Sequence, residues 1–221
     1  MYAYNKVALD DRVFVFIYGC AMHDAILQKS FTGEKKWVGQ VSEARTAVKH
    51  YIDSVLCGEF SNGSESVEKA HEKAFLETVN AVCCAINTST LREANADVFS
   101  FGNAQKLINM TVKHVYAHTY SNPSVRECFR YCHCPLDSIM LGKVWKAYKE
   151  AFGKEKTTCD LGNSVDFQTS WGNEGSENGR QAKLSVLPPR YSRFQNAIKA
   201  IVQKERGDMF PIEFDYIIWK N

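Results

Sequence analysis

Lys106 and Asp137 are the residues whose types and settings could do chemistry together. Lys106 closes the stretch GNAQK (102–106), where Phe101-Gly102-Asn103 reads as a tight turn between a short helix and the next one. A glycine there allows φ > 0 and close backbone approach. Free N–H groups at the start of the following helix can hold a phosphate. Asp137 lies 31 residues further on, in CPLDSIML (134–141). Pro135 keeps Cys134 out of the α region, which leaves Asp137 at or near a helix N-cap ahead of Ile139, Met140 and Val144. Each residue alone has a plain structural reading, a solvated lysine on an αα corner and a cap. As a pair they offer an amine nucleophile and a carboxylate to serve it.

Other groupings are weaker. Cys128, Cys132, His133 and Cys134 have the spacing C-x3-C-H-C. Three of these candidate ligands are adjacent, and zinc sites favour separated pairs, so no metal is expected. His114 and His118, four apart, read as a solvated or core-edge pair. RECFRYCH (126–133) fits the loose Arg-x6-His spacing of HEPN-type helical ribonucleases, but Pro135 follows His133 too closely for a helix there.

The elements that must position these residues are mostly helical. Val41, Ala44, Val48, Ile52 and Val55 make one stripe over 41–56, and Val67, Ala70, Ala74, Phe75, Val82 and Ile86 make another over 66–87. A shorter helix is expected over 90–99. The next, over 104–118, turns Leu107, Ile108, Thr111, Val112, Val115 and Tyr116 inward and Lys106, Asn109 and Lys113 outward. Further helices are expected at about 136–152 and 190–204, with a short segment at 211–219. Val13–Ile17 carries a strand signal. Residues 157–189, rich in Gly, Ser, Asn and Thr, read as a long loop or insertion.

Composition sets bounds. With 221 residues, 45% hydrophobic and 24% charged, the chain can bury a core and is ordinary for a globular protein. The apolar run Val13–Met22 is too short to span a bilayer and follows Asp-Asp-Arg, unlike a signal peptide. Eight cysteines without such a signal read as reduced thiols in a cytoplasmic protein. The net charge of +2 is uneven: residues 1–98 carry 10 Lys/Arg against 13 Asp/Glu, and residues 99–221 carry 17 against 12. The basic second half points weakly to an anionic partner, with scattered solvated charge the alternative.

In GNAQK and CPLDSIML the chain resembles the helix-hairpin-helix DNA glycosylases, in which a hairpin lysine and a downstream Pro-Val-Asp aspartate form the active site. Leu136 stands where valine is common, and Phe101-Gly102-Asn103 replaces the usual Gly-x-Gly. The long Lys–Asp spacing is similar to that of the archaeal 8-oxoguanine glycosylase branch. Asp215 and Trp219 in PIEFDYIIWKN match that branch's closing aspartate and tryptophan. The resemblance covers about 99–145 and 208–219.

It implies an all-α, two-lobed bundle with a DNA cleft, acting as one unit: a helical lobe (1–98), a hairpin and catalytic segment (99–156), the 157–189 insertion, and closing helices (190–221). Lys106 and Asp137 would be catalytic, and Asp215 and Trp219 would hold the extruded base. Gly102, Asn103, Gln105 and Lys113 would contact DNA. A monomer without cofactor is expected. Its substrate would be oxidised guanine, or a hypermodified phage base such as glucosylated hydroxymethylcytosine. The alternative is a non-catalytic nucleic-acid-binding or toxin–antitoxin-like helical protein.

Overall fold

The computed structural model describes residues 8–26, 36–62, 66–92, 98–163, 176–177, 180–181, 183–205 and 207–218. The fold is all-α. Its helices are α1 (Asp11–Ile26), α2 (Ser42–Leu56), α3 (Val67–Thr88), α4 (Phe101–Thr119), α5 (Pro123–Arg126), α6 (Ser138–Phe152), α7 (Lys154–Leu161), α8 (Pro189–Glu205) and α9 (Phe214–Ile218). Among the described residues, β-structure is limited to an antiparallel pair of two-residue strands, β1 (Ser176–Glu177) and β2 (Arg180–Gln181). No helix among them is long and apolar enough to cross a membrane.

Apolar residues three and four apart explain the helices and their packing. In α2, Ala44, Val48, Tyr51, Ile52 and Val55 are buried. In α3, Phe75, Val79, Val82 and Ile86 are buried, and Ser66 caps the helix by accepting from the Lys69 N–H. The two stripes meet; α1 lies along α4, α3 touches α4, and α6 packs on α7 and α8. One cluster of buried side chains runs from Leu9 to Phe214. Each fully buried Leu or Phe in it contributes about 1.5–3 kcal/mol.

Four expectations change. Val13–Ile17 lies within α1, not a strand. Phe14, Ile17, Tyr18 and Ala21 are buried at helical spacing, and the Asp10 carboxylate accepts from the Arg12 N–H at 2.8 Å to start the helix. The described ends of 90–99 are not helical; residues 93–97 lie outside the described residues. Phe101-Gly102-Asn103 is not a hairpin turn but the first turn of α4. Ser100 is extended and its carbonyl accepts from the Ala104 N–H at 3.0 Å. Gly102 is buried and is not among the glycines with positive φ. Finally, the expected 157–189 loop begins inside α7. Gly153 (φ 87°) breaks the chain between α6 and α7, and Gly162 (φ 81°) ends α7, positions where an L side chain would be strained.

Extended connectors running through a helical core need partners for their backbone groups. Side-chain amides supply them four times, each accepting from one residue's N–H and donating to the same residue's carbonyl. Asn87 holds Phe99, with both bonds at 2.9 Å. Asn80 holds Leu184 (2.8 and 2.9 Å). Gln195 holds Cys134 (2.7 and 3.1 Å), and Gln105 holds Leu136 (2.6 and 3.4 Å). The last two flank Pro135 and fix the segment that leads into Asp137.

Candidate functional site

Lys106 and Asp137 meet. Lys106 projects from the second turn of α4, and Asp137 is the N-cap of α6, with extended backbone (φ −138°, ψ 179°). The two carboxylate oxygens have separate partners. Oδ1 accepts from the Met140 N–H at 2.8 Å, completing the cap. Oδ2 lies 3.2 Å from Lys106 Nζ. The Lys106 side chain is 20% exposed and that of Asp137 33%, so the pair borders solvent. Asp137 therefore caps α6 with one oxygen and forms an ion pair with Lys106 through the other.

Two turns further along α4, Lys113 pairs with Asp215 at the start of α9. This pair is sealed: the side chains are 15% and 4% exposed. Lys113 Nζ also sits 4.8 Å from the Tyr216 ring centre, and the Tyr216 hydroxyl donates to the Lys113 carbonyl at 3.0 Å. The Cys134 thiol is buried. Burial first, and then the Asp215 charge, push its thiol pKa well up; Lys113 and Asp137 also act on it. Both lysines of these pairs come from α4, seven residues apart. Trp219 lies outside the described residues; the preceding Ile218 carbonyl accepts from Lys143 Nζ at 2.9 Å.

The residues of α4 expected to contact DNA are placed as follows. Gln105 is fully buried and spent on Leu136 and on the Gly102 carbonyl. Gly102 is buried in the helix, so no glycine turn is present to cradle a phosphate. Asn103 is half-buried beside it. Lys113 is paired with Asp215. Asn109, expected outside, is buried and donates to Gln105 at 3.2 Å and to the Tyr191 hydroxyl at 3.0 Å.

The cysteine–histidine stretch belongs to a buried network. His133 Nδ1 is 2.9 Å from the Tyr191 hydroxyl. His71 Nε2 is 3.2 Å from the Tyr51 hydroxyl and 3.5 Å from Cys132 Sγ. Burial lowers the pKa of both histidines, that of His71 to about 3 and that of His133 well below its ordinary range. It also raises the Cys132 thiol well above its ordinary range. Arg126 pairs with Glu213 at 2.9 Å, so Arg126 and His133 serve different networks and form no ribonuclease pair. The described cysteines are free thiols. Among the described residues, no three His, Cys, Asp or Glu side chains are placed to share a metal ion. His114 approaches Asp24 at 3.5 Å, and His118 is exposed.

Two cavities among the described residues lie elsewhere. One of about 580 Å3 separates α2 from α3, and one of about 550 Å3 lies between α1 and α4, lined by Phe16, His114 and His118. Neither is lined by Lys106 or Asp137. No protein-family profile, curated protein or solved structure matches the chain.

Proposed function

We propose that the chain is a DNA glycosylase with Lys106 and Asp137 as its catalytic pair. The 3.2 Å approach of a solvent-bordering lysine and a capping carboxylate, 31 residues apart in sequence, carries the reading. Cleaving an N-glycosidic bond builds positive charge on the sugar, which a fixed carboxylate stabilises. The target nucleotide must leave the stack to reach the pair. In one route Asp137 Oδ2 takes a proton from Lys106. The amine attacks C1′ and the base departs with the bonding electrons and gains a proton; the C1′–O4′ bond then breaks, O4′ takes the proton held by Asp137, and a Schiff base is left at C1′. In the other Asp137 takes the proton from water, which attacks C1′ in the lysine's place. Oxidised guanine and a glucosylated phage pyrimidine are the substrate classes the resemblance suggests, giving a role in repair or in antiviral defence.

Borohydride trapping on damaged, genomic and phage DNA, with mass spectrometry of released bases, tests the proposal. The expected result is base release lost in Asp137→Asn. A covalent adduct lost in Lys106→Ala selects the amine route. No release from any of these DNAs would sink the reading. A non-catalytic nucleic-acid-binding protein is the second reading, in keeping with the 17 Lys/Arg against 12 Asp/Glu over residues 99–221.

A further inference from the structure

We infer that the cavity between α2 and α3 binds a small amphipathic amine, with its protonated nitrogen at Glu77 and Glu43, its apolar body between the helices and a hydroxyl at Ser54. The site is separate from the Lys106–Asp137 pair, and the inference does not depend on the glycosylase reading.

The cavity holds about 580 Å3, and Ala47, Ala74, Ala81 and Tyr51 line it. Pockets of this size between helices enclose small ligands, with an apolar lining and a few placed polar groups. The polar groups here fall into an inner and an outer set.

Ser54 is the inner one. It is 8% exposed and lines the cavity, and its hydroxyl has no hydrogen-bond partner among the described residues. Buried hydroxyls are ordinarily paired. Its neighbours on the wall follow that rule. The Tyr51 hydroxyl is 3.2 Å from His71 Nε2, and Thr78 donates to the Ala74 carbonyl at 2.8 Å. Of these three hydroxyls, only that of Ser54 is left for a group inside the cavity.

Glu43 and Glu77 are the outer set. Both line the cavity and are exposed, and neither has an ionic partner among the described residues. Glu43 accepts from the adjacent Ser42 hydroxyl at 3.1 Å. Among the described residues no lysine or arginine lines the cavity, and His50 is the one lining group able to carry positive charge. A cation is therefore the ligand charge that the rim favours.

The spacing sets the length of the ligand. Tyr51 meets both His71 and Phe75, so α3 runs back along α2 and Glu77 comes level with residue 47. Ser54 then lies about 10 Å from it along the axis. A benzene ring with a two-carbon ammonium arm and a para hydroxyl spans that gap once a hydrogen bond is added at each end.

The test uses the full chain at pH 8 and calorimetric titration with three probes: tyramine, phenethylamine, which lacks the hydroxyl, and 4-ethylphenol, which lacks the amine. Tyramine should bind with a Kd of about 1 mM or tighter, the scale open to ligands of its size. It should bind about 3-fold or more better than either truncated probe. Ser54→Ala should erase its advantage over phenethylamine and keep that over 4-ethylphenol. Glu43→Gln with Glu77→Gln should do the reverse, and added salt should reduce only the advantage that the amine gives. Ala81→Leu, at an exposed position on the cavity wall, should weaken all three probes. Thermal melts verify folding, and the comparison of probes on the parent chain stands without any variant. No binding of tyramine, equal binding of the three probes, or advantages that neither set of variants moves would overturn the inference. Base release, present or absent, leaves each of these outcomes unchanged.

Discussion

Helix α4 carries two lysine–aspartate pairs seven residues apart, and burial separates them. Lys113–Asp215 is sealed, lies against Tyr216, and joins helices far apart in the chain. Lys106–Asp137 borders solvent, and its carboxylate keeps one oxygen for a backbone N–H and one for the lysine. The same two residue types thus give a structural tie in one place and a pair open to solvent in the other. An ion pair removed from water becomes costly to break. One in contact with water contributes little to stability and is available for chemistry.

Substitutions at the two aspartates should break or sharpen that contrast. The largest effect is expected from Asp215→Ala, which leaves Lys113 charged and enclosed. Denaturant titration should show a loss of about 3–5 kcal/mol. A loss below about 1 kcal/mol would place that pair with the exposed ones.

Acid should act next, on the core behind both pairs. Burial holds His71 neutral, with its pKa near 3 against an ordinary value of 6.5, and His133 is lowered as well. Below pH 6.5 the unfolded chain binds protons that the folded chain refuses. Stability is thus full above pH 6.5 and falls toward pH 3, by up to about 1.4 kcal/mol per pH unit from His71 alone. His71→Phe should flatten the profile; an equally steep fall in that variant would refute the assignment.

Gln195→Ala strips the Cys134 N–H and carbonyl of their side-chain partners and should cost about 1–3 kcal/mol, with base release falling as well because the Asp137 segment loses its hold. Asp137→Ala removes only a cap and an open pair, about 1 kcal/mol in a thermal melt. Asp137→Asn should melt with the parent and, under the proposed glycosylase function, release no base. The smallest change is expected from Lys106→Ala, below about 1 kcal/mol. A melt showing a larger cost would make Lys106–Asp137 a structural tie like its neighbour.

Much of the scaffold was legible in the sequence. The stripes of α2, α3, α6 and α8 follow the helical period, and Pro135 with Asp137 marks the start of α6. The run VFVFIYGCAM misled over Val13–Ile17, because a β-branched and aromatic stretch resembles a strand until the spacing of Phe14, Ile17, Tyr18 and Ala21 is set against α4. Gly102 reads as a turn residue because glycine is usual there, whereas it lies buried inside a helix. Pairing Lys106 with Asp137 was within reach, since both sit near helix starts. The fates of Gln105, Asn109 and Lys113 were not. Their partners are Leu136, Tyr191 and Asp215, which come from distant stretches of chain. A polar residue on a helix does not announce whether it will meet water or a remote backbone.

The side-chain amides that hold the connectors have a further consequence. Carboxamides do not ionise near neutrality, and counterions that weaken exposed charge pairs have little hold on buried neutral ones. The clamps on Cys134 and Leu136 should therefore keep their grip on the Asp137 segment across the whole salt range in which the chain stays folded. Ionic strength then becomes a clean variable for this protein. A rate or affinity that falls with added salt then reports the charged groups themselves, the solvent-bordering Lys106–Asp137 pair or the approach of a charged partner, rather than a loosened frame.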